Sequence, residues 1–125
     1  MIYGIGSDIV AIDRMRRLLE KFGDDFARRI LASGEWPAYE SSRNRASLLA
    51  KRFAAKEALA KALGTGLRHP VSLRSICIIH NRLGKPDFSL NQPLAAFLEE
   101  QGIKRCHLSL SDEKEMACAF VILEQ

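Results

Sequence analysis

The stretch Ser47–Leu63, SLLAKRFAAKEALAKAL, decides the fold, because it predicts one long helix against which a small domain can pack. Most of its residues are Ala, Leu, Lys and Glu, which are strong helix formers. Gly64 and Gly66 follow directly, and glycine commonly ends a helix. Helical spacing puts Glu57 among small and apolar side chains, on the face that we expect to pack inward.

Outward from this helix, the sequence predicts alternating strands and shorter helices. Asp13 is expected to cap a helix that runs to about Phe22, and Asn91 to cap one that ends near Gly102. Gly34 and Pro37 are expected to end a further short helix over 25–32. Strands are predicted over 2–10, 71–80, 87–90, 103–111 and 116–123. This order predicts an α+β fold, a mainly antiparallel sheet packed against a few helices, in a single domain over 1–125.

Length and composition exclude several classes of protein. The chain has 125 residues, of which 47% are hydrophobic and 27% charged, as in an ordinary globular domain. No apolar run approaches the roughly 20 residues that cross a bilayer, so no membrane association is expected. The three cysteines, Cys77, Cys106 and Cys118, are sparse and odd in number. They predict reduced, mostly buried thiols in a cytoplasmic protein.

Positive charge is concentrated in two stretches of the chain. Six Lys and Arg residues stand against one Glu over 43–61, and six against three acidic residues over 14–29. Such stretches favour an anionic ligand or an acidic partner, although solvated helix faces would look the same. A nucleic-acid-binding module is the main alternative. It is disfavoured because only 7% of the residues are aromatic and none interleave with the basic ones.

Asp8 is unusual, because it lies midway along an otherwise apolar strand. Gly4 and Gly6 precede it on the same face, where another backbone or a ligand could approach closely. A carboxylate is costly to bury without a positive or hydrogen-bonding partner. Its partner could be the start of the next helix, an arginine, or a bound cation.

Glu57 poses the same question on the long helix. Lys61 lies one turn further on, so a simple i,i+4 ion pair would account for it. Alternatively, Asp8 and Glu57 together could hold Mg²⁺, which often binds one or two carboxylates plus substrate phosphates. Arg52, Lys56 and Lys61 would then supply positive charge for those phosphates.

Two segments resemble a known family. Gly6–Val10 (GSDIV) and Arg52–Gly66 (RFAAKEALAKALGTG) resemble the two signature segments of 4′-phosphopantetheinyl transferases. The opening Met1–Gly6, the turn Gly84-Lys85-Pro86 and the closing Ala117–Glu124 resemble the short branch of that family, which acts on acyl-carrier proteins. The resemblance covers nearly the whole chain.

The resemblance implies a specific reaction. The family transfers 4′-phosphopantetheine from coenzyme A to a serine of apo acyl-carrier protein, with Mg²⁺, and releases adenosine 3′,5′-bisphosphate. The holo carrier protein then serves fatty acid biosynthesis. The metal carboxylates fall on Asp8 and Glu57, and Lys61 lies near the pyrophosphate. We expect a homotrimer with a coenzyme A site at each subunit interface. The expected coenzyme A contacts are Arg52, Lys56, Lys61, Gly64, Lys85 and Ser109.

The basic first helix is then expected to dock the acidic acyl-carrier protein. Its candidate residues are Arg14, Arg17, Lys21 and Arg28, with Arg14 nearest to the expected site. Exposed charge pairs of this kind mainly raise the association rate and weaken with salt.

One position departs from the family. Many relatives have a histidine after the Ser-x-Ser of the penultimate strand, whereas Asp112 follows Ser111 here. An aspartate repels phosphate unless a Lys or Arg intervenes. His107, Lys85 or Arg45 could compensate. A scaffold protein with an inactive site is a third hypothesis, and it requires that Asp8 or Glu57 be dispensable.

Overall fold

The long central helix forms as predicted and organises the domain. The computed structural model describes all 125 residues. Its helices are α1 (Ile12–Phe22), α2 (Asp24–Ile30), α3 (Trp36–Ser41), α4 (Arg45–Leu63) and α5 (Gln92–Glu100). Its strands are β1 (Ile2–Ala11), β2 (Ile76–His80), β3 (Pro86–Leu90), β4 (Arg105–Asp112) and β5 (Met116–Glu124).

All strand pairs are antiparallel, which confirms the predicted α+β class. One sheet has the order β1-β5-β4, and β2 and β3 form a separate hairpin. Helix α4 packs on the inner face of the three-stranded sheet, where Leu49, Leu59, Val121 and Leu123 are fully buried. Burial of such aliphatic side chains supplies most of the stability of a domain of this size.

Two glycines of β1 allow α4 to lie directly on the strand. A Cβ atom on Gly6 would lie 2.0 Å from the carbonyl oxygen of Ala58, and one on Gly4 would lie 2.1 Å from that of Ala62. No side chain fits at either position. The close approach fixes the position of Asp8, two residues after Gly6, relative to α4.

Three local predictions need correction. Ala11, not Asp13, occupies the N-cap position of α1, and Asp13 pairs with arginines in the first turn instead. Pro37 does not break the chain but lies in the first turn of α3, where proline costs no hydrogen bond. The strand predicted from Val71 begins only at Ile76, because Ser72 and Ser75 close a 3₁₀ turn through reciprocal side-chain hydrogen bonds.

The outer face of the three-stranded sheet is apolar and exposed. The exposed fractions of Ile5, Ile9 and Phe120 are 60%, 63% and 44%. Cys118 is also exposed there, and Cys77 and Cys106 are only partly buried, so the prediction of mostly buried thiols is wrong, although all three cysteines are free. No helix is both long and apolar enough to cross a membrane.

Candidate active site

Asp8 meets Lys61 across the junction of β1 and α4. The ammonium group of Lys61 donates to Oδ1 of Asp8 at 3.1 Å and to the carbonyl oxygen of Ser7 at 3.0 Å. The side chain of Asp8 is only 17% exposed, so it needs such a partner. Neither a helix cap nor an arginine satisfies it.

Glu57 lies beside this pair without joining it. Burial and then the negative charge of Asp8 raise the pKa of Glu57, whereas the positive charges of Lys61 and Arg14 lower it. Glu57 forms no salt bridge, so the simple i,i+4 pair with Lys61 is not the explanation for its position. Two carboxylates therefore lie close enough to repel each other at the junction of β1 and α4.

The donor set fits a Mg²⁺ ion. No cluster of three or more His, Cys, Asp or Glu side chains is present, so a metal here would have few protein ligands. Mg²⁺ is commonly bound in this way, with its other positions taken by water and substrate phosphates. The like charges of Asp8 and Glu57 are the feature that a divalent cation would relieve.

A cavity of about 380 Å³ opens along α4, next to the β2–β3 hairpin. Its lining is mostly polar and includes three basic side chains. The lining residues are Ser42, Asn44, Ser47, Leu48, Lys51, Arg52, His80, Gly84, Pro86, Leu110 and Asp112. Hydroxyl, amide and cationic groups together suit an anionic ligand.

The structure brings a lysine to Asp112. Nζ of Lys51 lies 3.7 Å from Oδ1 of Asp112. Lys51 is therefore the cation needed to offset the repulsion between Asp112 and a phosphate. Two of the three groups suggested as compensation are elsewhere: Arg45 stacks on Tyr39, and His107 contacts Glu124 on the outer face of the sheet. His80 also lines the cavity. Burial and then the charges of Arg52 and Lys51 lower the pKa of His80.

The prediction that Lys56 contacts phosphate is wrong. Its side chain is fully buried, where it contacts Glu35 and donates to the carbonyl oxygen of Ile30 at 2.6 Å. Arg52, one turn earlier, donates to Oε2 of Glu35 at 2.8 Å and to the carbonyl oxygen of Ile78 at 2.7 Å. Sequence reasoning missed Glu35. The available signal was a Glu three residues after Ala32, the spacing at which a carboxylate accepts from a backbone N–H group.

The other expected coenzyme A contacts are scattered. Gly64 ends α4 with φ of +78° and caps its last carbonyl groups. Lys85 is exposed in the β2–β3 turn, between two residues that line the cavity, Gly84 and Pro86. Ser109 is exposed on the outer face of the sheet, where it pairs with Phe120.

The four basic residues predicted to dock a carrier protein lie along α1 and α2. Arg14 lies over the ring of Phe53, with 5.9 Å between Cζ and the ring centroid, close to Glu57. Arg17 and Arg28 pair with Asp13 and Asp25, and Lys21 lies over Phe22. An adjoining cavity of about 280 Å³ is lined by Leu18, Phe22, Asp25, Phe26 and Arg29.

Known proteins share this sequence and fold. Residues 4–121 match the model of the 4′-phosphopantetheinyl transferase superfamily. A holo-(acyl-carrier-protein) synthase of Nitrosospira multiformis is 59% identical over the full length of both chains. The crystal structure of such a synthase from Neisseria meningitidis superposes with a TM-score of 0.96 at 53% identity, with both chains fully covered.

A more distant solved structure has the coenzyme bound. The holo-(acyl-carrier-protein) synthase of Bacillus anthracis, described in complex with CoA (3′,5′-ADP), has a TM-score of 0.81 at 35% identity and covers 98% of this chain and 96% of its own. The chain belongs to the 4′-phosphopantetheinyl transferase superfamily, and its full-length matches lie among the holo-(acyl-carrier-protein) synthases. It is an enzyme of the phosphopantetheinyl transferase class.

Proposed function

We propose that this enzyme transfers 4′-phosphopantetheine from coenzyme A to a serine of apo acyl-carrier protein, with Mg²⁺, and releases adenosine 3′,5′-bisphosphate. The product would be the holo carrier protein used in fatty acid biosynthesis. The observation that carries the proposal is the meeting of Asp8, Glu57 and Lys61 at the junction of β1 and α4. Two carboxylates and one ammonium group form a compact site for a metal and a pyrophosphate.

In this mechanism, Asp8 and Glu57 hold the metal, which supplies positive charge at the pyrophosphate when bound. The serine hydroxyl attacks the β-phosphate, and adenosine 3′,5′-bisphosphate leaves. Lys61 offers its ammonium group to the phosphate oxygens that gain charge in this step. The serine proton passes to an acceptor at this site, either a carboxylate such as Glu57 or Asp8, or a water.

The polar cavity beside α4 is the proposed site of the nucleotide part of coenzyme A. Lys51 and Arg52 supply the cationic lining that its phosphates require, and His80 adds a polar ring. Lys85 lies at its rim. Ser109 faces the opposite side of the sheet, so it could reach coenzyme A only if the site is shared between protomers, as the family resemblance implies.

The exposed sheet face supports a homotrimer. Ile5, Ile9 and Phe120 form an apolar surface on the side of the sheet that α4 does not cover. Contiguous exposed apolar surface commonly marks an interface. Association of three copies through this face would bury it and bring Ser109 of one protomer toward its neighbour.

The docking surface for the acidic carrier protein is proposed along α1 and α2. Arg14, Arg17, Lys21 and Arg28 provide positive charge along these helices, and the adjoining cavity is lined by Leu18, Phe22 and Phe26 together with Asp25 and Arg29. Positive charge beside partly apolar surface fits an acidic protein partner.

Intact-mass spectrometry of an apo acyl-carrier protein, incubated with the enzyme, coenzyme A and Mg²⁺, tests the proposal. We expect a mass gain of one phosphopantetheine, which a chelator abolishes. No gain with several carrier proteins would overturn the proposal and favour the inactive scaffold. Gain that persists after rigorous metal removal would overturn the role of Mg²⁺.

A further inference from the structure

The buried carboxylate of Glu35 lies behind the polar cavity and contacts neither the cavity nor the metal site. It is 0% exposed, and both of its oxygens are fully engaged. Oε1 accepts from the backbone N–H of Ala32 at 2.8 Å and contacts the ammonium group of Lys56. Oε2 accepts from Arg52 at 2.8 Å and from the backbone N–H of Ile78 at 3.1 Å. A carboxylate at this depth is retained only with such complete pairing.

Glu35 joins two elements that both contribute residues to the lining of the cavity. Arg52 belongs to α4, and Ile78 belongs to β2, the strand that leads to His80 and the Gly84 turn. Arg52 also donates to the carbonyl oxygen of Ile78, so the N–H and C=O groups of this residue are both held by the Glu35–Arg52 pair. These contacts replace a neighbouring strand at the free edge of β2.

The same contacts hold only one side of the Arg52 guanidinium group. Both of its hydrogen bonds come from NH1. Nε and NH2 of Arg52 have no hydrogen-bond partner in the protein. Every fully buried side-chain nitrogen and oxygen has such a partner, so these two atoms must reach solvent. Arg52 is also one of the residues that line the cavity. Arg52 is therefore anchored at one nitrogen and presents its remaining donors to whatever occupies the cavity.

We infer that Glu35 is a positioning residue for coenzyme A binding: it sets the orientation of Arg52 and holds the β2–β3 wall against α4. This inference rests on the proposed function of the cavity. Glu35 is therefore expected to affect the affinity for coenzyme A and not the chemical step. The reason is that Glu35 makes no contact with Asp8, Glu57 or Lys61.

Glu35→Gln tests the inference, since it removes the charge at nearly constant shape. We expect at least a tenfold rise in the Kd for coenzyme A by titration calorimetry and in the KM for coenzyme A, with kcat within threefold of the parent. Glu40→Gln is the matched control, because the side chain of Glu40 is exposed and forms no ion pair. It should leave all three quantities unchanged.

Double variants distinguish positioning from general loss of structure. If Glu35 acts through Arg52, Glu35→Gln should add less than threefold to the Kd in an Arg52→Ala background. Glu35→Asp, which keeps the charge but shortens the reach, serves if the Gln variant does not fold, and it should also raise the KM without lowering kcat. A folded variant with parental Kd and KM, or one that loses kcat at constant KM, would overturn the inference. Failure of the parent enzyme to bind coenzyme A would instead overturn the proposed function.

Discussion

The ammonium group of Lys61 donates to Oδ1 of Asp8 at 3.1 Å, although 53 residues of chain separate them. This contact joins β1 to α4 and leaves Glu57 beside it without a salt bridge. Two carboxylates and one ammonium group are thereby brought together at this junction. It is the basis of the metal and pyrophosphate site proposed here.

The first prediction concerns Glu57. Glu57→Gln keeps the shape of the side chain but removes the charge that would bind the metal. We expect kcat to fall at least about a hundredfold, equivalent to about 2.7 kcal/mol or more of transition-state stabilisation. Steady-state kinetics with a carrier protein at saturating Mg²⁺ measures it. Full activity would contradict the assignment of Glu57 as a metal ligand.

The second prediction concerns the contact between β1 and α4. In Gly6→Ala the new Cβ atom would lie 2.0 Å from the carbonyl oxygen of Ala58, a backbone atom that cannot move aside alone. We expect a loss of about 1–3 kcal/mol in the free energy of unfolding, measured by chemical denaturation. Ser7→Ala, at an exposed neighbouring position, is the control and should change it little. Equal stability of both variants would show that the strand and helix are less tightly packed.

The third prediction concerns assembly. Phe120→Glu places a charge in the centre of the apolar sheet face, where burial against a second copy would be costly. We expect sedimentation analysis to show a trimer for the parent and smaller species for the variant. Leu83→Glu is the control, because Leu83 lies in the exposed turn between β2 and β3 and not on the sheet face. This variant should leave the trimer intact. A trimeric Phe120→Glu variant would exclude this face as the interface.

The fourth prediction concerns the carrier protein. Lys21→Glu reverses a charge on α1 that has no acidic partner in the chain. We expect about a tenfold higher KM for acyl-carrier protein with little change in kcat, and a smaller difference at high salt because exposed charges are screened. Lys104→Glu makes the same charge change away from α1 and is the control. Equal KM values for the two variants would argue against docking on this helix.

The fifth prediction concerns pH. The lowered pKa of His80 means that the folded protein resists protonating this ring while the unfolded chain accepts the proton near pH 6.5. Stability due to a neutral His80 is therefore present above the ordinary pKa of 6.5 and is lost as the pH falls toward the lower folded value. His80→Gln should flatten this part of the stability curve, as measured by denaturation between pH 7 and 5. An unchanged curve would show that His80 titrates as it does in the unfolded chain.

Much of the architecture is readable from the sequence, because it depends on local chemistry. Helix α4 and its end at Gly64 follow from helix propensity and a glycine at positive φ, and the cap at Asn91 follows from its side-chain oxygen. The signature segments identify the family and select Asp8, Glu57 and Lys61. Each of these features lies within a few consecutive residues or in a recognisable motif.

Tertiary structure alone decided the partners of the charged residues. On the sequence, Lys56 and Lys61 are two equivalent lysines flanking Glu57, yet Lys56 is fully buried on Glu35 and Lys61 reaches across to Asp8. Which lysine is buried depends on the direction in which each side chain leaves α4. It also depends on the carboxylate that another segment places there, Glu35 for Lys56 and Asp8 for Lys61. Glu35 and His80 acquire their roles only because folding places them beside α4, since the energy of a charge is set by the groups around it in space.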